Sequence, residues 1–514
     1  MERLKLATAL TVATLLSLAG LASANPVTPG ARSHGSRKLC SHARTAGRQG
    51  VHPPRCRPGR PSTASNRRAA ALRGRRATAR AKAEAKERAT AARARRVKGK
   101  GKGKGKSPTP PPRRPTPVPT PIPTPAPVPT PIPIPPPVPA PTPAGLTDGT
   151  ITPYSAQVSW PATPGAATTE VYVDGDLIDQ YPSDASDSYV LGELWPSSSY
   201  TVSVQVLSAI GDQLGTYTGS VTTTAPTGSF PRLYNSAAFI NTPIGNAPSV
   251  DSNSSAIISS AITSYVNSAN LSNNDAWGIP IVTADQQSST YNVGCQYYWC
   301  NVDFGQVHIP TSAQPDTGSD GHLVVLQPNG TEFDMWIGQH TTSGWTAGSR
   351  WLESANGPAA NCSTVHACGG ADAANFALAA GAVRPEEIAQ GHIDHALAIT
   401  TPDTRQGYIA CPATNGDGTH ASPNALPIGA HLQLDPNINV AALSIPTWEK
   451  VIAVALQQYG AYVIDTGGSV ALYAQSNLGR PYDAWARAGV PSTSPSLSNL
   501  PWHSMRVLSM NQCG

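Results

Sequence analysis

The sequence predicts a mainly β protein. A small β-sandwich is followed by a larger β-rich domain of β-sandwich or jelly-roll type with a few helices. The N-terminal third is expected to be disordered. Three observations carry this. Residues 145–226 read as short alternating strands at regular spacing, separated by turn residues. Residues 227–514 are rich in Ser, Thr, Asn, Gly and aromatic residues, poor in Lys, and long enough for a large core. Residues 25–106 are dominated by Arg, Lys, Ala and Gly, with almost no large apolar side chain to bury.

The chain opens MERLKLATALTVATLLSLAGLASANP. Arg3 and Lys5 precede an apolar run, and Ala22-Ser23-Ala24 supplies the small residues of a cleavage site, so residues 1–24 read as a secretory signal peptide. An uncleaved anchor is the alternative, against which the apolar run is short. No later stretch is apolar for long enough to be a membrane span. The expected location is extracellular, with envelope association open.

The net charge of +6 averages two unlike parts. Residues 31–114 carry 27 Lys and Arg against two acids, Glu84 and Glu87, whereas residues 115–514 carry 8 basic and 28 acidic residues. Residues 31–106 therefore read either as a soluble spacer or as an electrostatic arm for an anionic surface polymer, whose binding would be salt-sensitive. Outside a cell such polymers are wall polymers, acidic polysaccharide or lipid head groups. Released DNA is a further polyanion, but nucleic acid is not the expected partner. Residues 107–144 repeat Pro with Thr, Val and Ile, which favours polyproline II and a spacer on the order of 100 Å at about 3.1 Å per residue.

Eight cysteines in a secreted chain favour disulfides. Short spacings favour pairing Cys40 with Cys56, Cys295 with Cys300 and Cys362 with Cys368, leaving Cys411 for Cys513, among the 15 pairings that the six cysteines of 227–514 allow. A zinc site using His366 is the alternative, but no pair has C-x-x-C spacing.

Within 145–226, ITPYSAQVSW places Trp160 late in an early strand, and TEVYVDGDLI turns on Asp174-Gly175. LWPSSSYTVSVQVL sets Leu194, Pro196 and Tyr200 in the Leu-x-Pro-x-x-x-Tyr form of a tyrosine corner. The stretch resembles a fibronectin type III domain across its whole length. The resemblance implies a spacer or interaction module, and nothing in it points to catalysis.

In 227–514, HLVVLQPNGTEFDMWIG reads as a hairpin on Asn329-Gly330. GHIDHALAIT, GAHLQLDP, AYVID and VALYAQ read as strands. PTWEKVIAVALQQYG reads as a helix with Pro446 at its start and Gly460 at its end. GHLVVLQPNGTEFDMW, GWTAGSRW, GAVRPEEIAQGHIDHAL, ALPIGAHLQLDP and ALQQYGAYVIDTGG together resemble a group of uncharacterised secreted bacterial proteins, over most of 310–475. That group has no assigned activity, so the resemblance implies a domain boundary rather than a reaction. In it Arg384, Glu387, Gly391 and His395-Ala396-Leu397 recur, as does an acid at Asp334, while His392 and Asp394 match less regularly.

If GHIDHALAIT is a strand, His392 and Asp394 share one face and His395 takes the other, in an apolar row. No metal is expected there, since two ligands do not define a site. His395 is either a general acid/base in an apolar cleft or a hydrogen-bonded core histidine. Glu387, on a short helical turn, either folds back on His395 or pairs with Arg384. A two-residue hairpin turn would set Glu332 opposite Gln327 and Asp334 opposite Val325, with Glu332, Asp334 and Trp336 on one face. Two acids beside a tryptophan fit a sugar-binding cleft. The candidate catalytic residues are thus Asp334, Glu387 and His395. Glu332, Trp336, Trp345, His392 and Asp394 are the candidate substrate contacts. No nucleophile elbow, phosphate loop or dinucleotide fingerprint is present, so no cofactor is expected. The functional expectation is a hydrolase or lyase acting on polysaccharide or cell-wall polymer, with a non-catalytic surface adhesion protein as the alternative.

Overall fold

Alternating burial along seven short strands builds the first sandwich. The computed structural model describes residues 144–183, 187–298, 300, 303–360 and 370–513. The signal, the basic arm, nearly all of the Pro-rich stretch, and the Cys40–Cys56 and Cys362–Cys368 pairings lie outside the described residues, which all fall in one compact unit. The strands are β1 (Thr147–Ile151), β2 (Ala156–Ser159), β3 (Thr168–Val173), β4 (Asp176–Pro182), β5 (Ser188–Leu191), β6 (Ser199–Leu207) and β7 (Gln213–Thr222). One sheet runs β1-β2-β5 and the other β4-β3-β6-β7, the latter extended by the two-residue strand Ala144–Gly145 lying parallel to β7. Val171, Val173, Val202, Val204 and Val206 point inward at every second position, against Trp160, Tyr189 and Tyr200. Asp174 and Gly175 both have positive φ, 52° and 95°, as a two-residue hairpin turn requires. The Tyr200 hydroxyl accepts from the Trp195 N–H at 2.8 Å, which makes the tyrosine corner. This is a fibronectin type III-like sandwich.

The larger region continues through α1 (Ser254–Ala261), β8 (Asn270–Ser272), β9 (Ile281–Thr283), β10 (Leu323–Leu326), β11 (Thr331–Trp336), β12 (Ser349–Ser354) and α2 (Pro385–Gln390). Then come β13 (Leu397–Thr401), β14 (His431–Leu434), α3 (Thr447–Gln458), β15 (Ala461–Thr466), β16 (Ala471–Tyr473), α4 (Ala484–Arg487) and β17 (Met505–Val507). A four-stranded sheet has the order β9-β10-β11-β12, and a six-stranded sheet the order β17-β14-β15-β13-β16-β8. In the latter, β13 lies parallel to β15 and antiparallel to β16. Among the described residues the fold is mainly β with several sheets and no barrel. Val451, Ile452, Ala455 and Leu456 of α3 recur at helical spacing and are buried in the main core with Trp351, Trp485 and Trp502. Cys295–Cys300 and Cys411–Cys513 are disulfides, the latter tying the C-terminus across 102 residues. No helix among the described residues is long and apolar enough to cross a membrane.

Two local readings change. GHIDHALAIT is extended only from Leu397, and residues 391–396 form a loop after the Gly391 cap, where φ is 90°. The β10–β11 hairpin pairs Leu326 with Glu332 and Val324 with Asp334, one residue out of the expected register. Gln327 and Thr331 close a three-residue loop in which Gly330 has φ 81°. A left-handed glycine in third place is the alternative solution for a short hairpin. The slip moves Val324 and Leu326 onto the acid face.

A candidate carboxyl and aromatic site

Glu387 and His395 pair with each other and Asp334 lies beside Glu332, all of them inside the protein. Pro385 opens α2 and Gly391 closes it. Glu387 Oε2 caps the helix by accepting from the Arg384 N–H at 2.9 Å, which leaves Oε1 to meet His395 Nε2 at 2.9 Å. His395 Nδ1 lies 2.8 Å from the Ala396 carbonyl oxygen. A carbonyl and a carboxylate only accept, so both ring nitrogens carry protons. Burial alone would lower the His395 pKa, but the Glu387 carboxylate outweighs it and raises it. Burial would likewise raise Glu387, yet His395 and then Arg384 bring it down. The result is a buried imidazolium–carboxylate pair in which neither nitrogen keeps a lone pair for a substrate proton.

Glu332 and Asp334 lie beneath the surface rather than on a cleft wall. Glu332 accepts from the Tyr234 hydroxyl at 2.7 Å and the Ala379 N–H at 3.1 Å, and Asp334 accepts from the Leu378 N–H at 2.8 Å. Burial, then the Glu332 charge, push Asp334 well above the ordinary carboxylate range, which favours its protonated form. Tyr234, which bonds Glu332, also lines a small recess with Asn241, Arg384, Glu387 and His395. None of Tyr234, Glu332, Asp334, Arg384, Glu387 and His395 is more than 8% exposed.

The other candidate contacts divide. His392 and Asp394 are exposed together in the loop, Nε2 to Oδ2 at 3.4 Å. The Ser229 hydroxyl meets the same nitrogen at 3.0 Å. Serine and aspartate compete for one nitrogen there, so no proton relay forms. Trp345 is 4% exposed and lies face to face with His340 at 4.6 Å, which removes it as a sugar platform. Trp336 sits with Tyr298 at 5.8 Å and Tyr297 at 6.4 Å between ring centroids, and Tyr297 is 56% exposed.

A second carboxyl cluster was not anticipated. Asp465 lies at the carboxyl end of β15, a strand with a parallel neighbour, where sheets of this kind present ligand-binding groups. Burial and then the carboxyls of Asp417, Asp320 and Asp372 push Asp465 well up. Burial does the same to Asp372. Tyr473 of β16 is raised by burial and by Asp465, Asp320, Asp372 and Asp316. His322 stands 6.2 Å from the Tyr473 ring, with Nδ1 3.7 Å from Asp316 Oδ2. The loop 316–321 connects this cluster to the aromatic residues. Ile337 N–H donates to the Asp320 carbonyl at 2.6 Å, one residue beyond Trp336. A Cβ on Gly348 would meet the Tyr297 and Trp336 rings at 2.9 Å, and one on Gly318 would meet the Trp277 ring at 3.1 Å. Trp277 is 49% exposed. Trp277 thus lies against the acidic loop, and the backbone beside Trp336 is bonded to it. The five acids are scattered singly from 316 to 465, so no local motif announces them. Among the described residues no group of three or more His, Cys, Asp or Glu is arranged to hold a metal ion.

Fold and site together define a mainly β protein with a fibronectin type III-like sandwich and buried carboxyl groups. No family profile and no curated protein matches the chain. Among solved structures, the Yersinia enterocolitica family 28 exopolygalacturonase aligns at 17% identity over 18% of this chain and 21% of that one, TM-score 0.15. The fn3 domain of the human collagen alpha-1(XX) chain aligns at 23% identity over 17% of this chain and 89% of that domain, TM-score 0.15. The Clostridium thermocellum CbhA fibronectin(III)-like modules align at 13% identity over 16% of this chain and 95% of that one, TM-score 0.14.

Proposed function

We propose that this is a secreted, envelope-associated protein whose larger region acts on a polysaccharide at the Asp465–Tyr473 carboxyl cluster. The observation that carries the reading is a buried carboxyl, Asp465, whose pKa burial and the carboxyls of Asp417, Asp320 and Asp372 push up, in a region that also exposes Tyr297 and Trp277. Glycosidic cleavage needs one group to protonate the leaving oxygen and another to act as nucleophile or base. Asp465 suits the first role and Asp417 or Asp320 the second, while Trp336, Tyr297 and Trp277 would stack on sugar rings. Disulfides and the signal-like N-terminus support the extracellular setting. The full chain, incubated with a panel of polysaccharides, should release reducing or unsaturated ends. Asp465→Asn should lower that rate by about 100-fold or more. Normal turnover by the variant, or no turnover of any polysaccharide, defeats the enzymatic reading.

A second reading is favoured by the closed Glu387–His395 pair: a non-catalytic surface protein, docked by residues 31–106, whose larger region binds a glycan or protein. It predicts binding without turnover and attachment lost in high salt. Attachment unchanged on deleting 31–106 counts against it.

A further inference from the structure

The fibronectin-type sandwich meets the larger region through a buried charge. The Arg480 side chain is 1% exposed. Its Nη2 donates to Glu193 Oε2 at 2.5 Å and its Nη1 to Glu386 Oε1 at 2.7 Å. Gln475 completes the set, donating to Glu193 Oε2 at 3.0 Å and accepting from Arg480 Nη2 at 3.1 Å. The Tyr482 hydroxyl donates to the Glu193 carbonyl at 2.5 Å. Glu193 lies in the sandwich, just before the tyrosine corner, and Glu386 lies on α2. The next residue of α2 is Glu387, the partner of His395.

We propose that the sandwich is a positioning module for the larger region: Glu193, through Arg480, holds α2 in place, and α2 presents Glu387 to His395. Three points argue for this. A helix of six residues is too short to hold itself and takes its place from its contacts. Glu386 and Glu387 are adjacent on it and bond different partners, Arg480 and His395, so a shift of one carboxylate shifts the other. A buried guanidinium needs its counter-charges, and one of the two comes from the sandwich. The proposal stands apart from the saccharide reading, since its test needs no substrate.

The test is an NMR titration of the His395 imidazole in the full chain, where the facing groups are Glu387, Arg384 and Tyr234. In Glu193→Gln the apparent pKa of His395 should fall toward the ordinary value of about 6.5, because Glu387 is no longer held against it. Glu170→Gln alters a carboxylate of the same sandwich that bonds only Tyr172 and Gln180, and should change nothing. A folded Glu193→Gln with His395 titrating as in the unaltered chain overturns the proposal. If Glu193→Gln does not fold, Arg480→Lys keeps the charge but loses the fork between the two acids. His395 unchanged in that variant is equally fatal, and a lowered pKa supports the proposal.

Discussion

At Glu387 and His395 the two partners titrate in opposite directions, and that gives the pair a pH window. The folded pKa of His395 is raised, so its contribution is fully present below about 6.5 and fades as pH rises through the folded value. That of Glu387 is lowered, so its contribution is present above about 4.5 and fades as pH falls through the folded value. The pair therefore stabilises most between these limits, and Glu387→Gln should lower the melting temperature there and flatten its fall above about 6.5 and below about 4.5. Removing one partner of a buried ion pair costs about 3–5 kcal/mol, which urea unfolding at pH 6 will show. Asp334 behaves differently, because burial favours its protonated form. Asp334→Asn keeps an acceptor for Leu378 and a donor for Glu332 and should stay within about 1 kcal/mol of the unaltered chain. Asp334→Ala strands the Leu378 N–H and should cost about 1–3 kcal/mol more in the same measurement.

At the scale of elements, the strands and the long helix were legible because their burial periods are local. The α3 stripe and the alternating valines of β3 and β6 are read from neighbours in sequence. The β10–β11 register was not, because Asn-Gly serves both a two-residue and a three-residue loop and the packing beyond the strands decides between them. Gly330→Ala tests the observed loop. A left-handed φ of 81° should cost the alanine variant about 1–2 kcal/mol by chemical denaturation, with the strand pairing intact. The His392–His395 stretch reached the expected separation by another route. The Gly391 cap ends α2 and sends the chain through a loop, so His392 with Asp394 stays in solvent while His395 turns inward.

Over the whole molecule, charge is divided by region. The 27 basic residues of 31–114 stand against the 28 acids and 8 bases of 115–514, so attachment to an anionic surface should rest on the arm alone. Surface retention should fall steeply between low and physiological salt and vanish when 31–106 is deleted, as a sedimentation assay with isolated envelopes would read. The same imbalance leaves few cations for the larger region. One of them, Arg480, is spent in the seam with the sandwich.

Composition and short-range pattern alone determined the layout: a signal-like start, a cationic arm, a proline spacer, a sandwich with a tyrosine corner and a large β-rich region. They also determined the two disulfides within the described residues. These properties depend on residues close in sequence or on simple counts. Only the tertiary structure decided which side chains meet. It enclosed Asp334, Glu387 and His395, covered Trp345, and gathered Asp316, Asp320, Asp372 and Asp465 around Tyr473, with Asp417 beside Asp465. Charge and burial act through space, and residues 145 positions apart share one environment only because parallel and antiparallel strands bring them to the same place.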